Sequence, residues 1–179
     1  LYEKDIQLMK QLGVDHYRFS IEWSKIEPEQ GVFDYNIIDH YQKKIDALIN
    51  NKITPVITLH HFTNPIWFEE KGAFEKAENI KFFVDFSAFA FKKFSSSVLF
   101  WCTINEPMVY VSEGYFNGEF PPAKKDPVLA IKVLKNMLNA HVLVYNRLKT
   151  MKNGNKVKIG MVKNIFQFDP LNRLNILDW

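Results

Sequence analysis

A single cysteine, Cys102, in a chain of 179 residues leaves no internal disulfide to form. It lies inside an apolar run, which fits a reducing compartment such as the cytoplasm, or simply a core position. No apolar stretch approaches the roughly 20 residues of a membrane span, so there is no case for a membrane. Basic blocks are missing too. The lysines are scattered among acids, and the formal net charge of +3 is too mild to argue for nucleic acid. Neither G-x-G-x-x-G nor G-x-x-x-x-G-K-[ST] occurs, which removes the usual phosphate-cradling turns, and without G-x-S-x-G a nucleophilic serine is unsupported. Tandem repeats, low-complexity tracts and a domain linker are all absent. The chain has no starting Met and opens on "LYEKDIQLMKQLG", already helical in pattern, so a leader could have been lost with whatever preceded it. At 47% hydrophobic and 15% aromatic residues there is ample material for a core and no case for disorder.

Periodicity supplies the architecture. Tyr2, Ile6, Met9 and Leu12 keep a helical spacing, and Gly13 is a C-cap candidate. The aromatic and β-branched run "HYRFSIEW" (16–23) predicts a strand, and Ile38, Tyr41, Ile45 and Leu48 predict a second helix. A strand "ITPVITLHHF" (53–62), a helix on Phe83, Phe86, Ala90 and Phe94, and a strand "VLFWCTINEP" (98–107) follow. Asp126 as N-cap with Pro127 at the first helical position opens a fourth helix on Ile131, Leu134, Leu138, Tyr145 and Leu148, which "KNGNK" ends. The last strand is "KVKIGMVKN" (156–164). Such alternation predicts a parallel sheet with helices on its faces, either an open doubly wound sheet or a barrel. Polar groups gather toward the C-terminal ends of the strands, as Arg18–Glu22, His60–His61 and Asn105–Glu106, and a barrel brings such ends around one mouth. The expected fold is therefore α/β, a partial (β/α)8 barrel with roughly four of eight parallel strands, forming one incomplete domain over 1–179.

Within "TINEPM" (103–108), Glu106 stands out. A carboxyl at a strand end, hemmed by Trp101, Ile104 and Pro107, is expected to resist ionisation, as a general acid at neutral pH must; a capped or salt-bridged glutamate closing a strand is the plainer reading. Asn105 could hold a substrate hydroxyl or form a turn. His60 and His61 are adjacent on a strand and point to opposite faces, so both cannot easily bind one ion, and no metal is expected. One of them could instead meet a hydroxyl. Arg18, if buried, needs an anionic partner, a structural ion pair being the default. Trp23, Phe62, Trp67 and Trp101 read as core, although aromatics at a barrel mouth could also stack on sugars. His141 reads as a hydrogen-bonded core histidine.

Taken together, "YRFSIEWSKIEPEQGVFD", "TLHHFTNPIWFEEKGAF" and "FWCTINEPMVYVSEGYFNGEFPP" resemble glycoside hydrolase family 1, the β-glucosidase-like retaining enzymes. The resemblance covers nearly the whole chain, with its segments in the family's order. It implies a β-glycoside or oligosaccharide substrate, no metal or organic cofactor, and a set of roles. Glu106 matches the general acid/base, Asn105 the asparagine that binds the sugar 2-hydroxyl, His61 the histidine of the innermost subsite, and Arg18 the arginine that pairs with the nucleophilic carboxylate. Phe62 stands where many members carry a tryptophan. The family's nucleophile lies in an E-N-G motif, and none occurs here: Glu78–Asn79 is followed by Ile80, and Glu113–Gly114 lacks the asparagine. The sugar-binding glutamine of the first strand is also missing. The expected span is from the first helix to the fifth strand of the family's barrel. A non-catalytic sugar-binding relic, an inactive partial product, and a phosphoryl or acyl transferase on the same barrel are the rival readings.

Overall fold

The computed structural model describes residues 2–165 together with 169 and 171, so the domain expected over 1–179 extends beyond the described residues at both ends. In chain order they form α1 (Tyr2–Gln11), β1 (His16–Ser20), α2 (Trp23–Ile26), α3 (Tyr35–Asn50), β2 (Thr54–His60), α4 (Ile66–Glu70), α5 (Ile80–Phe94), β3 (Phe100–Asn105), α6 (Pro107–Val111), α7 (Pro127–Lys149) and β4 (Lys158–Val162). All pairings are parallel and the sheet order is β1-β2-β3-β4. Each new strand is laid beside its predecessor with a helix crossing between them, which builds an arc of barrel.

Local chemistry sets the element ends. The Asp34 carboxylate accepts from the amides of Asn36 and Ile37 to start α3, and Asp126 accepts from Val128 and Leu129, both at 3.0 Å, ahead of Pro127. Gly13 adopts φ +74° just past α1, a conformation that costs other residues more. At Gly154, beyond α7, a Cβ would lie 2.3 Å from the Leu148 carbonyl oxygen, so only glycine lets the chain turn so closely over the helix end.

The helix-facing side of the sheet holds the core. Ile57, Leu59 and Trp101 join one buried cluster with Phe83, Phe86, Ala90 and Phe94 of α5, the stripe the period predicts. Trp23 stacks on Phe86 (centroids 5.0 Å, 17° between planes) and Trp101 packs against Phe91 at 5.1 Å. Each such aromatic contributes about 1.5–3 kcal/mol on burial. The opposite side is open: Arg18, Lys158 and Gly160 are exposed there, and Val56, Phe100 and Cys102 only half-buried.

The structure corrects the sequence reading in three places. All the strands are shorter than expected. β1 stops at Ser20 because Glu22 adopts the extended N-cap conformation of α2, so Trp23 is helical and points into the core. On α7 the predicted stripe is the outer one: Ile131 is 71% exposed, while Val133 is fully buried with Met137, Ala140 and Val144. Only Leu148 of that stripe is buried. The helix is apolar on two faces, and spacing alone does not say which one the sheet takes. For the same reason α7 is long and apolar enough, by length and composition, to cross a bilayer, contrary to the sequence expectation; here it packs along α5.

Candidate active site

At the C-terminal end of the sheet, β1 and β2 meet through side chains. Ser20 Oγ lies 2.8 Å from His61 Nδ1, joining the last residue of β1 to the first beyond β2. His60 and His61 point apart, but with the alternation set by Val56 and Thr58 reversed. His60 turns into the core, its ring edge-on to Phe74 (5.3 Å), Phe83 (5.9 Å) and Tyr110 (5.5 Å). Its Nε2 lies 3.1 Å from Asn64 Oδ1, and because the Asn64 amide nitrogen donates to Tyr110 and Glu69, that oxygen accepts. His60 is then neutral with its proton on Nε2, consistent with burial pulling its pKa down to about 4. The His61 imidazole is lowered as well, by burial first and then by the Arg18 guanidinium, with the Glu106 and Glu22 carboxylates opposing. One imidazole therefore sits in the fields of three charged groups from two other strand ends.

The chain reverses sharply after His61. Phe62 has φ +69°, a left-handed conformation unfavourable for an aromatic residue, at a cost of about 1–3 kcal/mol. Its ring stands edge-on to His61 (4.9 Å) and near-parallel to Tyr110 (6.5 Å, 26°).

β3 carries an irregularity that re-aims its end. Cys102 pairs with Gly160 and Asn105 with Val162, so three steps on β3 answer two on β4. One extra residue reverses the alternation of side chains. Thr103 faces the helices, within 2.7 Å of His141 Nδ1 and 3.2 Å of the Gly160 carbonyl oxygen. That carbonyl can only accept, so both bonds are satisfied when His141 donates to Thr103 and Thr103 donates to Gly160. Asn105, two residues on, would share that face in a regular strand. Instead its Oδ1 accepts from Arg18 Nη1 at 2.8 Å on the open side of the sheet. The same Nη1 reaches Thr58 Oγ1 at 3.2 Å, so one guanidinium laces β1, β2 and β3 together.

Glu106 follows at φ +43°, ψ +62°, the second strained turn residue of the site, with its amide bonded to the Val162 carbonyl oxygen. Its half-buried carboxylate has no hydrogen bond or ion pair among the described residues, which excludes the plainer salt-bridged reading within this part of the chain. The apolar surroundings also differ from expectation. Trp101 and Ile104 are sunk in the core, while Pro107 stays beside Glu106 in a cleft of about 270 Å³ with Met108, Leu134, Leu138, Met161 and Lys163.

Arg18, His61, Phe62, Asn105 and Glu106 thus lie around one mouth. Arg18 is exposed rather than buried and pairs with neutral oxygens, among the described residues, instead of an anion. Trp23 and Trp101 are core, while Trp67 is half-buried and donates to the Glu27 carbonyl. The sequence reading missed Ser20, Thr58, Asn64 and Tyr110, which hold the candidates in place. Alternation could have signalled Ser20 and Thr58, polar residues in register on one face. Nothing in the spacing points to Tyr110. No group of three or more metal-ligating side chains occurs among the described residues.

The family described as Glycosyl hydrolase family 1 matches residues 1–176. Beta-glucosidase A of Thermotoga maritima is 34% identical over 171 residues, covering 94% of this chain and 38% of that protein. Among solved structures, a beta-glycosidase from Pyrococcus horikoshii superposes with a TM-score of 0.88 at 42% identity, over 97% of this chain and 40% of that one. The Thermotoga maritima beta-glucosidase in complex with castanospermine gives 0.92 at 32% identity, over 98% and 40%. The four strands are therefore a partial (β/α)8 barrel, and the chain spans about two fifths of the length of these relatives. The chain belongs to glycosyl hydrolase family 1 and is β-glucosidase-like.

Proposed function

We propose that this chain carries the acid/base half of a retaining β-glycosidase site, completed in the full-length enzyme by a nucleophilic carboxylate outside these residues. The observation that carries the reading is the uncommitted Glu106 carboxylate at the barrel mouth, beside an Asn105 that Arg18 fixes from across the sheet. Glu106 protonates the leaving oxygen while the nucleophile attacks the anomeric carbon, and then acts as base on water as the glycosyl-enzyme hydrolyses. Such carboxyls stand about 5–5.5 Å apart, close enough for the acid and the nucleophile to act on the two sides of one glycosidic bond. Asn105 takes the sugar 2-hydroxyl. Ser20 occupies Nδ1 of His61, which leaves Nε2 for another sugar hydroxyl. Phe62 offers an aromatic face at the mouth, and Arg18 keeps its remaining donors for the nucleophile. The substrate is a β-glycoside or oligosaccharide.

The test is Glu106→Gln in the full-length enzyme. Alkyl glycosides, whose leaving groups need a proton, should no longer turn over. Aryl glycosides with good leaving groups should still form the covalent intermediate, which azide then releases. Equal loss on both substrate types without azide rescue sinks the assignment.

A further inference from the structure

We propose that Tyr110 positions the acid/base, by locking the two strained turn residues of the site, Phe62 and Glu106, into one frame. The inference rests on the reading of Glu106 given above. Tyr110 is buried on α6 and touches both turns. Its amide donates to the Glu106 carbonyl oxygen at 3.1 Å, while its ring lies near-parallel to Phe62, 6.5 Å away. The hydroxyl accepts from Asn64 Nδ2 at 3.1 Å, and the His60 ring meets the Tyr110 ring edge-on at 5.5 Å. His60 and Asn64 are bonded to each other at 3.1 Å, so the end of β2 and the loop after it grip Tyr110 by its ring and by its hydroxyl.

Strained backbone persists only where its surroundings over-determine it. Phe62 and Glu106 are on separate loops, and Tyr110 packs against one and is bonded to the other. Displacing its ring frees Phe62 to leave its left-handed conformation and lets the first turn of α6 shift, carrying the Glu106 backbone with it. An acid loses efficiency with small displacements because proton transfer needs hydrogen-bond reach to the leaving oxygen. Tyr110 itself stays neutral, since burial pushes its phenol further up from an already high pKa.

A merely structural tyrosine would lower stability and all activities together. A positioning tyrosine changes which leaving groups are tolerated. The test compares Tyr110→Leu, Asn64→Leu and Glu106→Gln in the full-length enzyme on methyl β-glucoside, whose leaving group needs a proton, and 2,4-dinitrophenyl β-glucoside, whose leaving group does not. Tyr110→Leu should lower kcat/KM for the methyl glucoside by about tenfold or more, and for the dinitrophenyl glucoside by less than about threefold. Asn64→Leu should shift the same ratio in the same direction by a smaller factor, and it decides alone if Tyr110→Leu does not fold. Equal falls on both substrates in the folded variants overturn the proposal. When Glu106→Gln is leaving-group selective and the other two are not, only the positioning inference fails. When Glu106→Gln also loses both substrates equally, the acid/base reading fails first.

Discussion

Arg18 Nη1 donates to Asn105 Oδ1 across 2.8 Å, a bond that joins β1 to β3 over the top of β2. An arginine from one strand thereby fixes the amide of another, and its remaining guanidinium nitrogens stay on the open side of the sheet. In the full-length enzyme, Arg18→Met should lower kcat/KM by about ten- to hundredfold, the worth of a charged hydrogen bond. Losing the cation raises the nucleophile's pKa, so the acidic limb of the pH–rate profile should move to higher pH. A profile that stays in place removes Arg18 from the site.

His60 makes stability depend on pH. Its pKa is about 4 folded against 6.5 for the free imidazole, so in that window the unfolded chain takes up a proton that the folded one refuses. Stability is therefore full above pH 6.5 and falls as pH drops toward 4, by at most about 3 kcal/mol from this group. Denaturant titrations at stepped pH should show the decline, and His60→Gln should flatten it. An unchanged slope in the variant assigns the decline to other groups.

Thr103 should matter for folding rather than chemistry. Thr103→Val keeps the shape but removes the hydroxyl that bonds His141 and the Gly160 carbonyl, at a cost of about 1–3 kcal/mol. The denaturation midpoint should fall while the ratio of alkyl to aryl glycoside turnover stays fixed. A changed ratio would link Thr103 to the acid.

The 179-residue chain, purified alone, should neither hydrolyse β-glucosides nor behave as a tight monomer. β1 and β4 are the outer strands of the sheet, and the open face and the outer stripe of α7 leave apolar surface uncovered. Sedimentation should show oligomers, and unfolding should be broad. A monomer with one sharp transition contradicts the open-barrel argument, and robust turnover blocked by Glu106→Gln would mean that a carboxylate within these residues acts as nucleophile.

Much of this was legible in the sequence wherever one side chain has one plausible partner. The start of α7 at Asp126 and Pro127, and the stripes of α3 and α5, follow from caps and spacing because a single apolar face admits a single burial. α7 defeats that logic with two apolar faces. Arg18, the His60–His61 pair and Asn105 could be singled out as polar groups near strand ends, with His61 chosen from the pair only by the family resemblance. The Arg18–Asn105 bond could not be foreseen, because it spans an intervening strand and depends on a register shift that spacing does not encode. Tyr110 was illegible for a similar reason: its role is made by contacts with two loops, while its own spacing only marks a short helix.

The extra residue of β3 turns the site into a matter of counting. Asn105 shares the open side with Cys102 although two residues, rather than one, stand between them, and a count has no intermediate values. Substitutions in this stretch can be graded, tolerated or compensated. Deleting one residue between Cys102 and Asn105 is different in kind: two steps would then answer two on β4, the irregularity would vanish, and either the Thr103 hydroxyl or the buried Ile104 side chain would go with it. The strand can therefore drift in composition but not in length.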